Sequence, residues 1–184
     1  SLRDHVAAGG LARTVPHHEH DPAWAQDLNL LTARPRMFVM NVGEDDLRDG
    51  GPLAAAVAAR AAAEGVPAVP VCARLEADLG EWSPEEAAAY RQDLGVPETG
   101  LRRVVEAAYR LLDLITFFTT AGKIVQAWTI ARGTHAARAA GRIHTDIERG
   151  FIRAEVVHHD DLVALGSLAA ARDHGVLRLE GRDY

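Results

Sequence analysis

Arg36-Met37-Phe38-Val39-Met40-Asn41-Val42-Gly43-Glu44 is the stretch from which the rest of the chain can be read. Met37 to Met40 is a short apolar run of the kind given by a strand buried on both faces, and Pro35 just ahead of it stops a preceding helix. The run ends in Asn41 to Glu44, a polar loop at the carboxyl end of the strand. In an open parallel α/β sheet that edge is where ligands bind, and an amide and a carboxylate placed there can read a planar ring through hydrogen bonds. The same four letters also fit an ordinary turn and cap after a strand, so the surroundings decide.

Downstream, Asp45 to Pro52 is polar and turn-rich, Leu53 to Glu64 is alanine-rich with high helix propensity and closes at Gly65, and Val66 to Cys72 is a second β-branched run. This order predicts a strand-helix-strand unit, the minimal parallel pair. Its second strand ends in Val71-Cys72-Ala73-Arg74. No adjacent Lys or His in the sequence activates Cys72, which reads as a packing residue. The carboxylates of Glu76, Asp78, Glu85 and Glu86 invite an acid–base reading, but Ser83-Pro84-Glu85-Glu86 is a capping box that starts a helix running to about Leu94 and ending at Gly95. Thr99 or Gly100 starts another, with Leu101, Val104, Val105, Ala108, Leu111 and Leu112 at helical spacing.

Upstream, Leu2 to Leu11 reads as a weak amphipathic helix and Trp24 to Leu31 as another. Between them Pro16-His17-His18-Glu19-His20-Asp21-Pro22 carries metal-ligand letters, yet adjacent side chains point apart and proline flanks both ends, so a solvated loop is expected. From Leu114 the pattern changes to strands, Leu114 to Thr119 and Val125 to Ile130, joined by hairpin residues. Phe151 to His158 reads as a strand, Asp160 as an N-cap, Leu162 to Arg172 as one helix, and Val176 to Leu179 as a last strand. His144 and Asp146 read as a buried polar turn between helix and strand, and His158-His159-Asp160-Asp161 as a strand-to-helix corner.

The chain has 184 residues, 48% of them hydrophobic, which is enough for one ordinary domain or two small ones. A net charge of -6 argues against coating a phosphate backbone along the whole surface and leaves room for a local basic patch. A single cysteine excludes an internal disulfide and suits a reducing compartment. No apolar run approaches the roughly 20 residues of a membrane span and no signal-peptide pattern opens the chain, so a soluble cytoplasmic protein is expected.

Taken in order, Asn41-Val42-Gly43-Glu44 and Cys72-Ala73-Arg74 resemble the Asn-Lys-x-Asp base-specificity motif and the Ser-Ala-Lys element of P-loop GTPases. Valine in place of the lysine and glutamate in place of the aspartate make the motif similar to that of the Obg-related YchF subfamily, the Obg-like ATPases, where it goes with ATP preference over GTP. The physical reading points the same way. An aspartate accepts two hydrogen bonds from the guanine edge, a longer carboxylate is misplaced for that geometry, and adenine offers an acceptor where guanine has a donor. Leu28, Leu30, Leu31, Thr32, Ala33, Arg34 and Pro35 match the family's lead into the strand. Trp128 to Thr134 and Ala139 to Glu155 are similar to the TGS domain, the small β-grasp module that ends YchF proteins.

The resemblance implies an α/β fold in which residues 1–113 are the carboxyl-terminal part of an Obg-type P-loop NTPase domain, a parallel sheet with helices. Residues 114–184 would then be a small α+β TGS domain, truncated at its end. It implies an ATPase that binds the large ribosomal subunit, with ATP as the nucleotide and Mg2+ held by upstream ligands. It places Asn41 on the base edge, Val42 on or beside the ring and Glu44 as the setter of base preference, with the backbone of Cys72, Ala73 and Arg74 closing the pocket. No Gly-x-x-x-x-Gly-Lys-[Ser/Thr] loop occurs in the sequence, so the chain is expected to be part of a longer protein and not to hydrolyse ATP alone. Arg132, Arg138, Arg142, Arg149 and Arg153 form a candidate surface for ribosomal RNA through local phosphate contacts. Neither DNA nor membrane is expected as a partner. A non-catalytic RNA- or ribosome-binding adaptor remains the alternative. A TGS-bearing synthetase or alarmone enzyme would not supply the strand-helix-strand unit ahead of the module.

Overall fold

The structure is a computed structural model that describes residues 1–15, 27–121 and 124–184. The His-rich stretch from Pro16 to Pro22, residues 24–26 of the helix expected at Trp24, and the hairpin residues Gly122 and Lys123 lie outside them. The chain divides into two compact units, Ser1–Leu112 and Asp113–Tyr184. Among the described residues no helix is long and apolar enough to cross a membrane.

In the first unit, helix α1 (Leu2–Ala7) starts in a capping box between Ser1 and Asp4. It is shorter than the run to Leu11 expected, because Gly9 takes a φ of 85° and a separate 3-10 turn follows at Ala12–Thr14. Leu2, Ala12 and Val15 bury together against Leu30 and Ala33. Ala12 N–H donates to Thr32 Oγ1 at 3.2 Å, tying this segment to the approach to the first strand. The helix expected to reach Leu31 does not: Asn29 sits at a left-handed φ of 49°, and Leu31–Ala33 is a single 3-10 turn.

Strands β1 (Phe38–Asn41) and β2 (Ala68–Val71) run parallel, with Phe38 opposite Ala68 and Asn41 opposite Val71. Helix α2 (Gly51–Glu64) is the crossover, and Gly65 ends it at a left-handed φ of 64°. The strand-helix-strand unit is therefore as the sequence predicts, but the burial of β1 on both faces is not. Its residues alternate between half-buried and exposed, and Val39 is 52% exposed. Burial on both faces needs helices packed against both sides of the sheet. Phe38 N–H bonds to Pro67 O and Val42 N–H to Val71 O, so the intervening Pro70 carbonyl turns away from β1. There it accepts from the Arg103 guanidinium at 2.7 Å.

Helices α3 (Ala73–Leu79), α4 (Pro84–Asp93) and α5 (Gly100–Leu111) follow. The Ser83–Glu86 capping box forms as the sequence predicts, with Pro84 in the first turn. Leu75 and Leu79 of α3, Ala87 of α4, Cys72 and Leu47 make the core, and Val42, Tyr90, Leu94 and Val96 pack against it. Gly100 opens α5 with its N–H donated to Glu76 Oε1 at 2.7 Å.

The second unit begins with the antiparallel pair β3 (Leu114–Ala121) and β4 (Ile124–Ala131), with Phe117 opposite Trp128. Trp128 Nε1–H donates to Thr119 Oγ1 at 2.9 Å. Helices α6 (Ala136–Ile143) and α7 (Thr145–Gly150) meet at His144, whose ring Nδ1 accepts from Asp146 N–H at 3.2 Å. The His144 turn therefore joins two helices and is exposed, not a buried link to a strand.

Strand β5 (Ala154–Val156) is shorter than the run expected from Phe151, and pairs antiparallel with β6 (Arg178–Glu180). The single helix expected over Leu162 to Arg172 is two, α8 (His159–Leu165) and α9 (Leu168–Asp173). Gly166 at a φ of 76° breaks it, and the Ser167 side chain caps the second. His158 holds the cap position expected for Asp160, and Asp160 and Asp161 fall in the first turn, where negative charge favours a helix start.

A Cβ added at Gly100 would stand 2.8 Å from Val71 Cγ1 and 3.2 Å from Glu76 Oε1. Gly100→Ala is expected to cost about 1–3 kcal/mol of unfolding free energy through overpacking, read as a lower urea midpoint.

Candidate functional site

The loop that follows β1 is built as a chain of turns around one buried side chain. Asp46 N–H bonds to Gly43 O, Leu47 N–H to Glu44 O and Gly50 N–H to Asp46 O. Leu47, 6% exposed, enters the core and holds the loop down. Burying a leucine is worth about 1.5–3 kcal/mol, which makes it the chief anchor of an otherwise polar segment. Gly50 and Gly51 then carry the chain into α2 at φ of 83° and 62°, backbone that a side chain would strain.

Asn41 stands at the end of β1 beside the start of α3. Its Oδ1 accepts from Ala73 N–H at 3.1 Å, so the amide oxygen is committed to the protein and the NH2 is the end left to donate. Val42 is half-buried and packs against the core that includes Cys72. Glu44 is exposed and its Oε1 accepts from the Tyr90 hydroxyl on α4. Cys72 is buried and unpaired in a disulfide. The Arg74 side chain, 92% exposed, lies 3.8 Å from Asp78 one helical turn along α3.

The structure thus joins Asn41 to Ala73 by a hydrogen bond and Val42 to Cys72 through one apolar cluster. Glu44 is held from a third element, and the Arg74 side chain faces solvent. A cleft of about 560 Å³ runs along β1 and the start of α2, lined by Asn41, Val42 and Gly43 together with Phe38, Asp46 and Leu53. Glu44, Cys72, Ala73 and Arg74 do not line it. Tyr90 is the residue that sequence reasoning missed. Its place at the helical spacing of Ala87 and Leu94 marks a core-facing position, but nothing local points from it to a loop 46 residues earlier.

In the second unit Arg132 Nε pairs with Asp113 at 3.0 Å and Arg149 lies 4.0 Å from Asp146. Arg138 is 3.6 Å from Glu148. Arg142 and Arg153 are exposed and have no ion-pair partner among the described residues.

Asn41→Ala removes the acceptor for Ala73 N–H and is expected to cost about 1 kcal/mol in a urea denaturation. Asn41→Asp keeps an acceptor oxygen there and is expected to cost much less in the same measurement.

A family model described as "YchF-GTPase_C: Protein of unknown function (DUF933)" matches residues 114–184. A protein of Haemophilus ducreyi named "Ribosome-binding ATPase YchF" is 44% identical over 175 residues, covering 95% of this chain and 48% of that protein. The protein of the same name from Bacillus subtilis is 41% identical over 175 residues, covering 94% of this chain and 48% of its own length. The chain spans about half the length of the curated relatives it matches. Among solved structures, the Schizosaccharomyces pombe YchF GTPase superposes with a TM-score of 0.84 at 28% identity, over 100% of this chain and 50% of that one. Residues 114–184 thus match the carboxyl-terminal family model of the YchF GTPases, and the chain over nearly its whole length is similar to YchF proteins in sequence and fold.

Proposed function

We propose that this chain is the carboxyl-terminal part of a cytoplasmic, ribosome-binding ATPase, in which the loop after β1 reads the purine of ATP and the second unit docks on ribosomal RNA. The observation that carries the first half is the Asn41–Ala73 bond. It commits the amide oxygen and leaves an NH2 donor at the strand end, suited to purine N7, which is an acceptor in adenine and guanine alike. Asn41 therefore selects a purine, and Glu44 selects which one. A carboxylate only accepts; guanine offers it two adjacent donors and adenine one. The extra methylene of glutamate takes its carboxylate away from the paired arrangement that guanine needs. The names of the bacterial relatives support the ATPase and ribosome parts of this reading.

Hydrolysis needs a phosphate cradle and a metal ion as well as a base pocket. Among the described residues no group of three or more His, Cys, Asp or Glu gathers to hold a metal. In this reading magnesium is bound by residues other than these. For the second half, Arg142 and Arg153 supply guanidinium groups uncommitted to carboxylates, whereas Arg132 is already engaged by Asp113.

Calorimetric titration of ATP and GTP into the full-length protein tests the loop. Val42→Lys with Glu44→Asp is expected to move the ATP-to-GTP affinity ratio toward GTP by roughly tenfold or more, the equivalent of one charged hydrogen bond regained. An unchanged ratio would refute the assignment. Arg142→Glu with Arg153→Glu is expected to weaken sedimentation with ribosomes and to flatten the salt dependence of binding, its logarithmic slope falling by about one for each phosphate no longer neutralised. Unaltered association at every salt concentration would remove this face from the interface.

A further inference from the structure

Glu44 lies on an exposed loop, where a free glutamate samples several rotamers and presents no fixed edge to a ligand. It is fixed by one long-range contact, the hydroxyl of Tyr90 donated to Oε1. Tyr90 is itself firmly placed. Its body packs on the core of Leu47, Cys72, Leu75, Leu79 and Ala87, and its ring meets that of Trp82 at 5.4 Å between centroids with the planes at 59°. Since Leu47 of the same loop belongs to that core, loop and tyrosine are registered against one another. The phenol's pKa is also raised above the usual tyrosine value, first by its hydrogen bond to Glu44, then by partial desolvation and by the charges of Glu44 and Asp45.

We propose that Tyr90 is a positioning residue for purine choice: by occupying Oε1 of Glu44 it leaves one carboxylate oxygen free to face the base, which satisfies the single edge donor of adenine and denies guanine its paired acceptors. The proposal rests on the reading of the loop given above and adds to it a residue that touches no nucleotide. Val42 and Asn41 are unaffected by the tether, because one is held by the core and the other by Ala73. The hydroxyl alone carries the effect, while the ring serves packing.

Tyr90→Phe separates the two, since it keeps the ring and removes the donor. In the full-length protein, calorimetric titration of Tyr90→Phe with ATP and GTP is expected to lower the ATP-to-GTP affinity ratio roughly three- to tenfold, with the thermal midpoint little changed. In a Glu44→Ala background the same substitution is expected to move the ratio no further, because the tether then holds nothing. A Tyr90→Phe protein whose two affinities shift equally, or not at all, overturns the proposal and leaves the loop reading standing, provided Glu44→Ala itself alters the ratio. A shift of equal size in the presence and absence of Glu44 also overturns it, assigning Tyr90 a route to the base that bypasses the carboxylate. If Glu44→Ala leaves the ratio unaltered, the loop reading fails and this inference fails with it.

Discussion

One hydrogen bond, from Ala73 N–H to the side-chain oxygen of Asn41, clasps the first unit at the point where its two parallel strands end. Each strand is only four residues long, and parallel pairs are held by slanted bonds that are weaker per residue than antiparallel ones. The clasp continues the ladder past the backbone. The last main-chain bond runs from Val42 N–H to Val71 O, and the side-chain bond follows at the next step, on the first residue of α3. That helix is therefore fixed in direction as it leaves β2, and the core residues it carries, Leu75 and Leu79, meet Leu47 from the loop after β1.

The loop from Val42 to Gly51 divides its labour by position. Val42 and Leu47 face the core and carry the stability, whereas Glu44, Asp45 and Asp46 are exposed and carry charge. A segment built this way tolerates chemical variation at its acidic positions without loss of fold, since surface substitutions away from caps and cores rarely change stability much. Glu44 can then be exchanged while Asn41 continues to hold the strand ends.

How much of this is legible in the sequence follows from the range of each interaction. The capping box at Ser83 and Glu86, the alanine-rich crossover closed by Gly65 and the hairpin of β3 and β4 are local patterns, and each forms where its residues predict it. The Glu44–Tyr90 contact is invisible there, because the spacing along α4 tells which face of Tyr90 is buried and not what its hydroxyl reaches across 46 residues. The apolar run of the second strand reads as ending in Cys72-Ala73-Arg74. Helix α3 begins at Ala73 instead and turns the arginine along its own surface toward Asp78. The split between α8 and α9 turns on Gly166 and Ser167, a left-handed residue followed by a cap, which apolar periodicity passes over.

The bond between Arg103 and the Pro70 carbonyl makes the small parallel sheet one-sided. Proline has no N–H to offer, and its carbonyl is already taken, so at the middle of β2 the outward rim lacks both a free donor and a free acceptor. Another chain seeking to zip onto that rim finds neither group. Among the described residues no such block stands along the opposite rim, that of β1, and it is the rim on which a further strand would pair.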